Sequence, residues 1–216
     1  MRLKIVGKGK IGRIFLERFK DEIVEQVNYS KELNNNISCD VVIDFSHPDN
    51  LNDLLDYCIN NHLPLVIGTT GYNILQEKKI FETSNIIPIC KDSNFSEGII
   101  RLKRVIKEFY AYYKIIQITE THRLDKIDAP SGTALMLKRF ILSLDPDIEE
   151  MIRSIRKGDV CGIHKGSFVN DNEELCIIHK ANNRYIFVDG AYYAAFLMLK
   201  KGSGLYTFEE IINDRM

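Results

Sequence analysis

The chain has 216 residues, 45% of them hydrophobic, with 29 Lys and Arg against 30 Asp and Glu. A net charge of −1 gives no electrostatic basis for binding nucleic acid or an anionic membrane, and the length allows one large or two small domains. Five scattered cysteines (Cys39, Cys58, Cys90, Cys161, Cys176) without CxxC or metal spacing read as reduced thiols of a cytoplasmic protein, and the apolar run at the N-terminus is too short for a signal peptide or a membrane span.

Leu3 to Val6 reads as a short strand leading into Gly7-Lys8-Gly9-Lys10-Ile11-Gly12, after which Ile11, Ile14, Phe15 and Phe19 recur at helical spacing. This is GxGxxG in the setting it needs: strand, glycine turn, helix. Gly7 permits the turn, Gly9 lets backbone approach a pyrophosphate, and Gly12 lets helix and strand pack closely. Dinucleotide binding is favoured over a glycine turn without a ligand. Val24 to Ser30 reads as a second strand. No carboxylate stands at its end to hold a ribose 2′-hydroxyl. Lys31 there either faces the 2′-phosphate of NADPH or is a solvated loop charge.

Asn34-Asn35-Asn36 is a polar loop, and Val41 to Phe45 is a buried strand. Ser46 is expected to cap the following helix, with Pro48 in its first turn and Leu51, Leu54, Leu55 and Cys58 as its buried stripe. Leu65 to Ile67 is the next strand, ending in Gly68-Thr69-Thr70-Gly71, where an open α/β sheet binds its ligands. A helix over about Ile74 to Thr83 follows. A strand over Ile86 to Ile89 then runs into Lys91-Asp92-Ser93-Asn94-Phe95-Ser96, and its Pro88 suits a sheet edge. Strand and helix alternate to about residue 95, as in a doubly wound domain.

Ile99, Leu102, Val105, Ile106 and Phe109 mark an amphipathic helix. The alternating run Ile115, Ile116, Ile118 is a buried strand that leads into Glu120-Thr121-His122-Arg123-Leu124-Asp125-Lys126-Ile127-Asp128-Ala129-Pro130-Ser131-Gly132-Thr133-Ala134. A titratable His and Lys precede a fresh helix start over Gly132 to Leu144, an arrangement that suits an anionic substrate in need of a proton. After Pro146 the expected strands Ile152 to Ile155, Ile163 to Val169, Leu175 to Lys180 and Tyr185 to Val188 read as a meandering sheet. Helix returns over Gly190 to Lys200, and a last short helix covers Phe208 to Ile212. No metal site is expected, because His47, His62, His164 and His179 lack ligand spacing. His164 and His179 read as structural, with a role near the substrate as the alternative.

The ordered series of motifs resembles the 4-hydroxy-tetrahydrodipicolinate (dihydrodipicolinate) reductase family over nearly the whole chain. Gly7 to Gly12, Val42 to Ser46, Val66 to Gly71, Ser93 to Ser96 and Glu120 to Ala134 carry the likeness, together with Arg156, Gly158, Gly162, His164, His179 and Arg184. The resemblance implies an α/β fold: a Rossmann-like nucleotide-binding domain over 1–94 and 190–216, and a mixed α/β substrate and oligomerisation domain over 95–189. It further implies a homotetramer, a hinge between the domains and a small dicarboxylate substrate.

The implied reaction is reduction with NADPH or NADH, with His122 as acid/base and Lys126 as second proton donor. Arg123, Ser131, Gly132, Thr133 and Thr70 would bind substrate. Gly7, Lys8, Gly9, Lys10, Ile11, Gly12, Lys31, Gly68, Thr69, Thr70, Asp92, Ser93, Asn94 and Phe95 would meet the cofactor. Arg123 stands where the family usually has a second histidine, and can bind a carboxylate. The chain is short for the family around residues 28 to 40, where a helix is absent. Two rivals are a reductase of another small amino or keto acid and a nucleotide-binding regulator without catalysis. The intact His122, Lys126 and Ser131-Gly132-Thr133 speak against the second.

Overall fold

The chain forms strand β1 (Leu3–Val6), helix α1 (Lys10–Arg18), β2 (Ile23–Val27), β3 (Val41–Asp44), α2 (Leu51–Asn60), β4 (Leu65–Ile67), α3 (Ile74–Ser84) and β5 (Pro88–Lys91). It continues through α4 (Glu97–Phe109), β6 (Ile115–His122), α5 (Gly132–Leu144), β7 (Glu149–Arg156), β8 (Gly162–Val169) and β9 (Glu174–Ala181), then α6 (Tyr185–Met198), β10 (Gly204–Tyr206) and α7 (Phe208–Asn213). This computed structural model describes residues 1–113, 115–147 and 149–213. The side chain of Ile115 and residues 214–216 of the expected nucleotide domain lie outside the described residues. Contacts divide the chain into two units, Met1–Phe95 with Tyr185 onward, and Ser96–Arg184.

The first unit holds a sheet in the order β10-β5-β4-β3-β1-β2 with every neighbouring pair parallel. Its central strands are continuous apolar runs because both faces are covered. On one face Val6, Val42, Leu65, Ile67 and Ile89 pack with Leu51, Leu54, Leu55, Cys58 and Ile80 of α2 and α3. On the other, α6 packs on β3, β4, β5 and α1. Gly190 of α6 passes so close to the Phe95 carbonyl that a Cβ there would sit 1.8 Å from its oxygen. β1 lies between β2 and β3, so the chain leaves it in opposite directions, and this is the switch point where such sheets bind ligands.

Several local expectations need correction. β2 ends at Val27, and Ser30–Glu32 forms a single 3₁₀ turn where a helix would otherwise cross. Lys4 of β1 lies beside this segment. It is fully buried, with Nζ 2.7 Å from Glu25 Oε2, donating to Tyr57 Oη (2.8 Å) and to the Asn34 carbonyl (2.6 Å). These partners hold it charged against the cost of burial. Ser46 caps no helix. His47 takes that place, its Nδ1 accepting from Asp49 N–H (3.3 Å) ahead of a 3₁₀ turn over Pro48–Asn50. Pro88 is not at an edge, since β10 pairs beyond it; as the first residue of β5, opposite Gly204, it breaks no ladder. The unforeseen β10 is only three residues long.

The second unit is a four-stranded sheet, β7-β6-β8-β9, with α4 and α5 on one face. β6 and β7 are parallel, joined through α5 as a βαβ crossover, while β8 is antiparallel to both β6 and β9. The expected meander is therefore wrong: β7 and β8 lie on opposite sides of β6. Tyr185 to Val188 is the first turn of α6 rather than a strand, its apolar residues meeting a helix face.

Gly190→Ala is expected to lower stability by about 3 kcal/mol, the upper range for forced overpacking, read as a fall in Tm. A Tm within a degree of the parent would show that α6 can move away from the Phe95 carbonyl.

Candidate active site

In the first unit the glycine turn is built by close approach. Gly7 has φ +114°, and a Cβ on it would lie 2.3 Å from the Phe45 carbonyl oxygen; one on Gly12 would lie 2.0 Å from the Gly7 oxygen. Nothing lies within 4 Å of a Cβ on Gly9. Gln26, which sequence reasoning passed over, locks the turn by donating to the carbonyls of Gly7 (3.0 Å) and Gly12 (2.8 Å).

Two cavities adjoin this turn. One, of about 750 Å³, is lined by Gly9, Lys10, Ile11, Ser46, Gly68, Thr69, Thr70 and Gln76 among others. The second, of about 450 Å³, is lined by Gly7, Lys8, Gly9, Asn28, Tyr29, His47, Asp49 and Asn50 among others. The residues suit a dinucleotide. The α1 N-terminus and its glycines offer backbone N–H groups to a pyrophosphate, and no side chain fills the space above Gly9.

Asp44 holds the connecting loops: Ser46 N–H (3.2 Å) and Oγ (2.5 Å) and the Tyr72 hydroxyl (3.3 Å) all donate to it, and Thr69 Oγ1 accepts from Ser46 N–H (2.8 Å). Burial pushes the Asp44 carboxyl up, and these hydrogen bonds pull it part of the way back.

Several expected cofactor residues do other work. Asp92 accepts from Asn94 N–H (3.2 Å) and from Phe208 N–H (3.2 Å) at the start of α7. Phe95 is 2% exposed, its ring packed between Phe45 and Phe208, so it is a core residue. Ser93 is exposed and Asn94 buried. Lys31 Nζ lies 5.7 Å from the Tyr29 ring centroid; Tyr29 lines the second cavity. Thr70, expected on substrate, lines the first cavity beside Gly68 and Thr69.

In the second unit the period of two along β6 puts Glu120 and His122 on the same face. Glu120 is fully buried. Its Oε2 bonds His122 Nδ1; its Oε1 takes Arg156 Nη1 (3.0 Å) and the Ser131 N–H (3.3 Å). Burial works against the carboxylate, but Ser154, Arg156 and His122 together hold it below the usual carboxylate range. The His122 pKa lies below its ordinary value chiefly because the ring is buried. Glu120 works to raise it, while the charges of Lys126 and Arg156 add to the lowering.

Arg156 also donates to the carbonyls of Lys126 (3.3 Å) and Asp128 (2.6 Å), so it staples the loop between β6 and α5. Lys126 Nζ bonds both oxygens of Asp128 (2.6 and 2.8 Å) and keeps that carboxyl low. Arg123 Nε lies 2.5 Å from Asp125 Oδ1. Ser131 is 2% exposed, and its Oγ caps α5 by accepting from Ala134 N–H (3.2 Å). Gly132 stands exposed with open space at its Cα, and Thr133 is buried.

His164, on β8 opposite Glu120, meets His122 edge-on at 5.3 Å between centroids, which sequence spacing could not show. Ligating atoms of Glu120, His122 and His164 lie within 4.8 Å of one another. Arg156, Ser131 N–H and His122 already take the Glu120 oxygens, so a cation would have to displace them.

Sequence models of the dihydrodipicolinate reductase N-terminus and C-terminus match residues 10–95 and 98–212. The chain is 36% identical to the 4-hydroxy-tetrahydrodipicolinate reductase of Clostridium novyi (strain NT), covering 93% of this chain and 87% of that protein. It is also 36% identical to that of Clostridium tetani (strain Massachusetts / E88), covering 99% and 97%. In fold it is similar to a dipicolinate-bound dihydrodipicolinate reductase from Paenisporosarcina sp. TG-14, with TM-score 0.80 and 20% identity over 98% of this chain and 99% of that one.

Glu120→Gln removes the anion that holds the Nδ1 proton and leaves Arg156 unopposed. Both changes are expected to push the His122 pKa further below 6.5. An NMR titration of the ring carbons reads this directly, and an unchanged or raised value would mean that Glu120 does not govern the imidazole.

Proposed function

The chain belongs to the dihydrodipicolinate reductase family, and on that premise we propose that it reduces 4-hydroxy-tetrahydrodipicolinate to tetrahydrodipicolinate, in diaminopimelate and lysine biosynthesis, with NADH or NADPH. The observation that carries the reading is His122, bonded through Nδ1 to the buried Glu120 ahead of the first turn of α5.

The conversion replaces a ring hydroxyl by hydrogen, so one hydride and one proton enter and one water leaves. When bound, reduced nicotinamide supplies the hydride. Gly7, Lys8, Gly9, Lys10, Ile11 and Gly12, with Gly68, Thr69 and Thr70, line or shape the cavities that would hold it.

His122 presents Nε2 because Glu120 occupies Nδ1. Its pKa is depressed in the free protein. A dicarboxylate at the start of α5 offsets the charges of Lys126 and Arg156 and draws that pKa back up, so the imidazole gains its proton as substrate arrives. Lys126 adds a second N–H donor, with Asp128 holding it until an anion competes. The amides of Gly132 and Thr133 suit one carboxylate, and Arg123 suits the other once it leaves Asp125.

The face of the second sheet opposite α4 and α5 presents Met151, Ile155, Ile163 and Ile178 among polar residues. Met151 is 47% and Ile178 62% exposed, which supports burial of this face in a homotetramer. Five free cysteines suit a reducing cytoplasm.

His122→Ala and Lys126→Ala are each expected to cut kcat by roughly a hundredfold or more, as loss of a general acid does, with Tm held near the parent. The assay follows NAD(P)H absorbance with substrate made by the preceding synthase. Near-normal turnover in both variants would reject their roles. Light scattering after gel filtration is expected to give four times the chain mass of 25.0 kDa, and a monomer would remove the tetramer.

A further inference from the structure

His164 has no place in the proton transfer just described, yet it lies beneath it. The register sets Glu120, His164 and His179 side by side on neighbouring strands, all on the face that carries α4 and α5. His164 is 4% exposed. Its Nε2 lies 3.4 Å from Ser131 Oγ. That oxygen already accepts the Ala134 N–H, so its own proton is left to donate, and His164 Nε2 is the acceptor that faces it. Burial, helped by His122 and His179, lowers the His164 pKa to about 3, so the ring is neutral and keeps that lone pair at working pH.

His179 sits one strand further along, its Nε2 3.1 Å from the Ser96 hydroxyl at the start of α4. Gly98 makes room for it: a Cβ there would come 2.6 Å from the His179 ring. Each of these histidines therefore meets the serine that starts a helix.

We propose that His164 is a positioning residue for the reduction, setting Ser131, and with it the first-turn amides of α5, in fixed relation to His122. The contacts close a ring: His164 to Ser131 Oγ, Ser131 N–H to Glu120, Glu120 to His122, and His122 edge-on to His164. No member can shift without moving another. The consequence falls on substrate binding, because the amides of Gly132 and Thr133 move with Ser131. Nucleotide binding belongs to the first unit's glycine turn and is not affected. The inference rests on the proposed reading of that helix start as a carboxylate site.

The test compares His164→Gln, whose side-chain amide reaches the place of Nε2, with His164→Leu, which offers no acceptor. If the leucine variant does not fold, His164→Asn, whose amide stops at the Nδ1 position, takes its place. The full-length protein is assayed for substrate KM, NAD(P)H KM, kcat and Tm, and for dipicolinate binding by calorimetry. Loss of the contact is expected to raise substrate KM and dipicolinate Kd about tenfold, the size of one hydrogen-bonded contact, with NAD(P)H KM unchanged. His164→Gln is expected to return both to within about threefold of the parent. Equal effects of the two variants, or a loss confined to kcat or to NAD(P)H, would overturn the proposal. A parent protein that binds dipicolinate but does not reduce the substrate would remove the functional reading, while the binding comparison still decides the role of His164. A parent that binds no dipicolinate would remove the carboxylate site and this inference together.

Discussion

A single buried carboxylate sets the terms for the second unit. An isolated anion inside a protein costs several kcal/mol, and the cost falls only where charge and hydrogen bonds return what water supplied. Glu120 is fully buried and meets Arg156 and Ser154 from β7, His122 from its own strand and the Ser131 amide from the start of α5. Arg156 supplies the opposing charge and the others supply hydrogen bonds, so the anion fixes where three elements stand relative to one another. The His122 imidazole and the helix start are held together as a by-product of keeping one charge paired.

The first unit uses a different device, the absence of side chains. Gly7 and Gly12 are places where backbone meets backbone too closely for a Cβ, and Gln26 ties the two carbonyls together from β2. The turn is thereby rigid before a ligand arrives, which reduces the ordering cost of binding. Where the crossover between β2 and β3 has shrunk to a 3₁₀ turn, Lys4 closes the gap with Glu25, Tyr57 and Asn34. One long side chain with three oxygen partners ties β1, β2, α2 and this segment together.

Much of this was legible in the chain itself. The period of 3.6 gave α4 and α5 with sound boundaries, and GxGxxG between strand and helix marked the glycine turn, because both signals are local. What escaped was pairing. Whether β7 lies beside β6 or β8 depends on the crossover through α5, and no alternation pattern encodes it. Pro88 suggested an edge because β10, which covers it, is three residues with little pattern. Tyr185 to Val188 is apolar in a row, which suits a buried strand and a buried helix turn equally. The cap made by Ser131 and the core packing of Phe95 are set by burial, which motif position does not encode. His164 and His179 looked like isolated residues because register alone brings them beside Glu120.

The polypeptide leaves the first unit after Phe95 and returns to it at Tyr185. On a ribosome, the strands β1 to β5 therefore emerge long before α6, which packs on β3, β4 and β5, and before β10, which closes the β5 edge. At roughly 5–20 residues per second, the delay is on the order of ten seconds. Ser96–Arg184 is continuous and can finish first. The nascent protein thus carries a half-dressed sheet, with β3 to β5 lacking their α6 cover and β5 its edge partner, through much of its own synthesis. A messenger cut short after the second unit would leave that sheet sticky for good, whatever the quality of the residues already made.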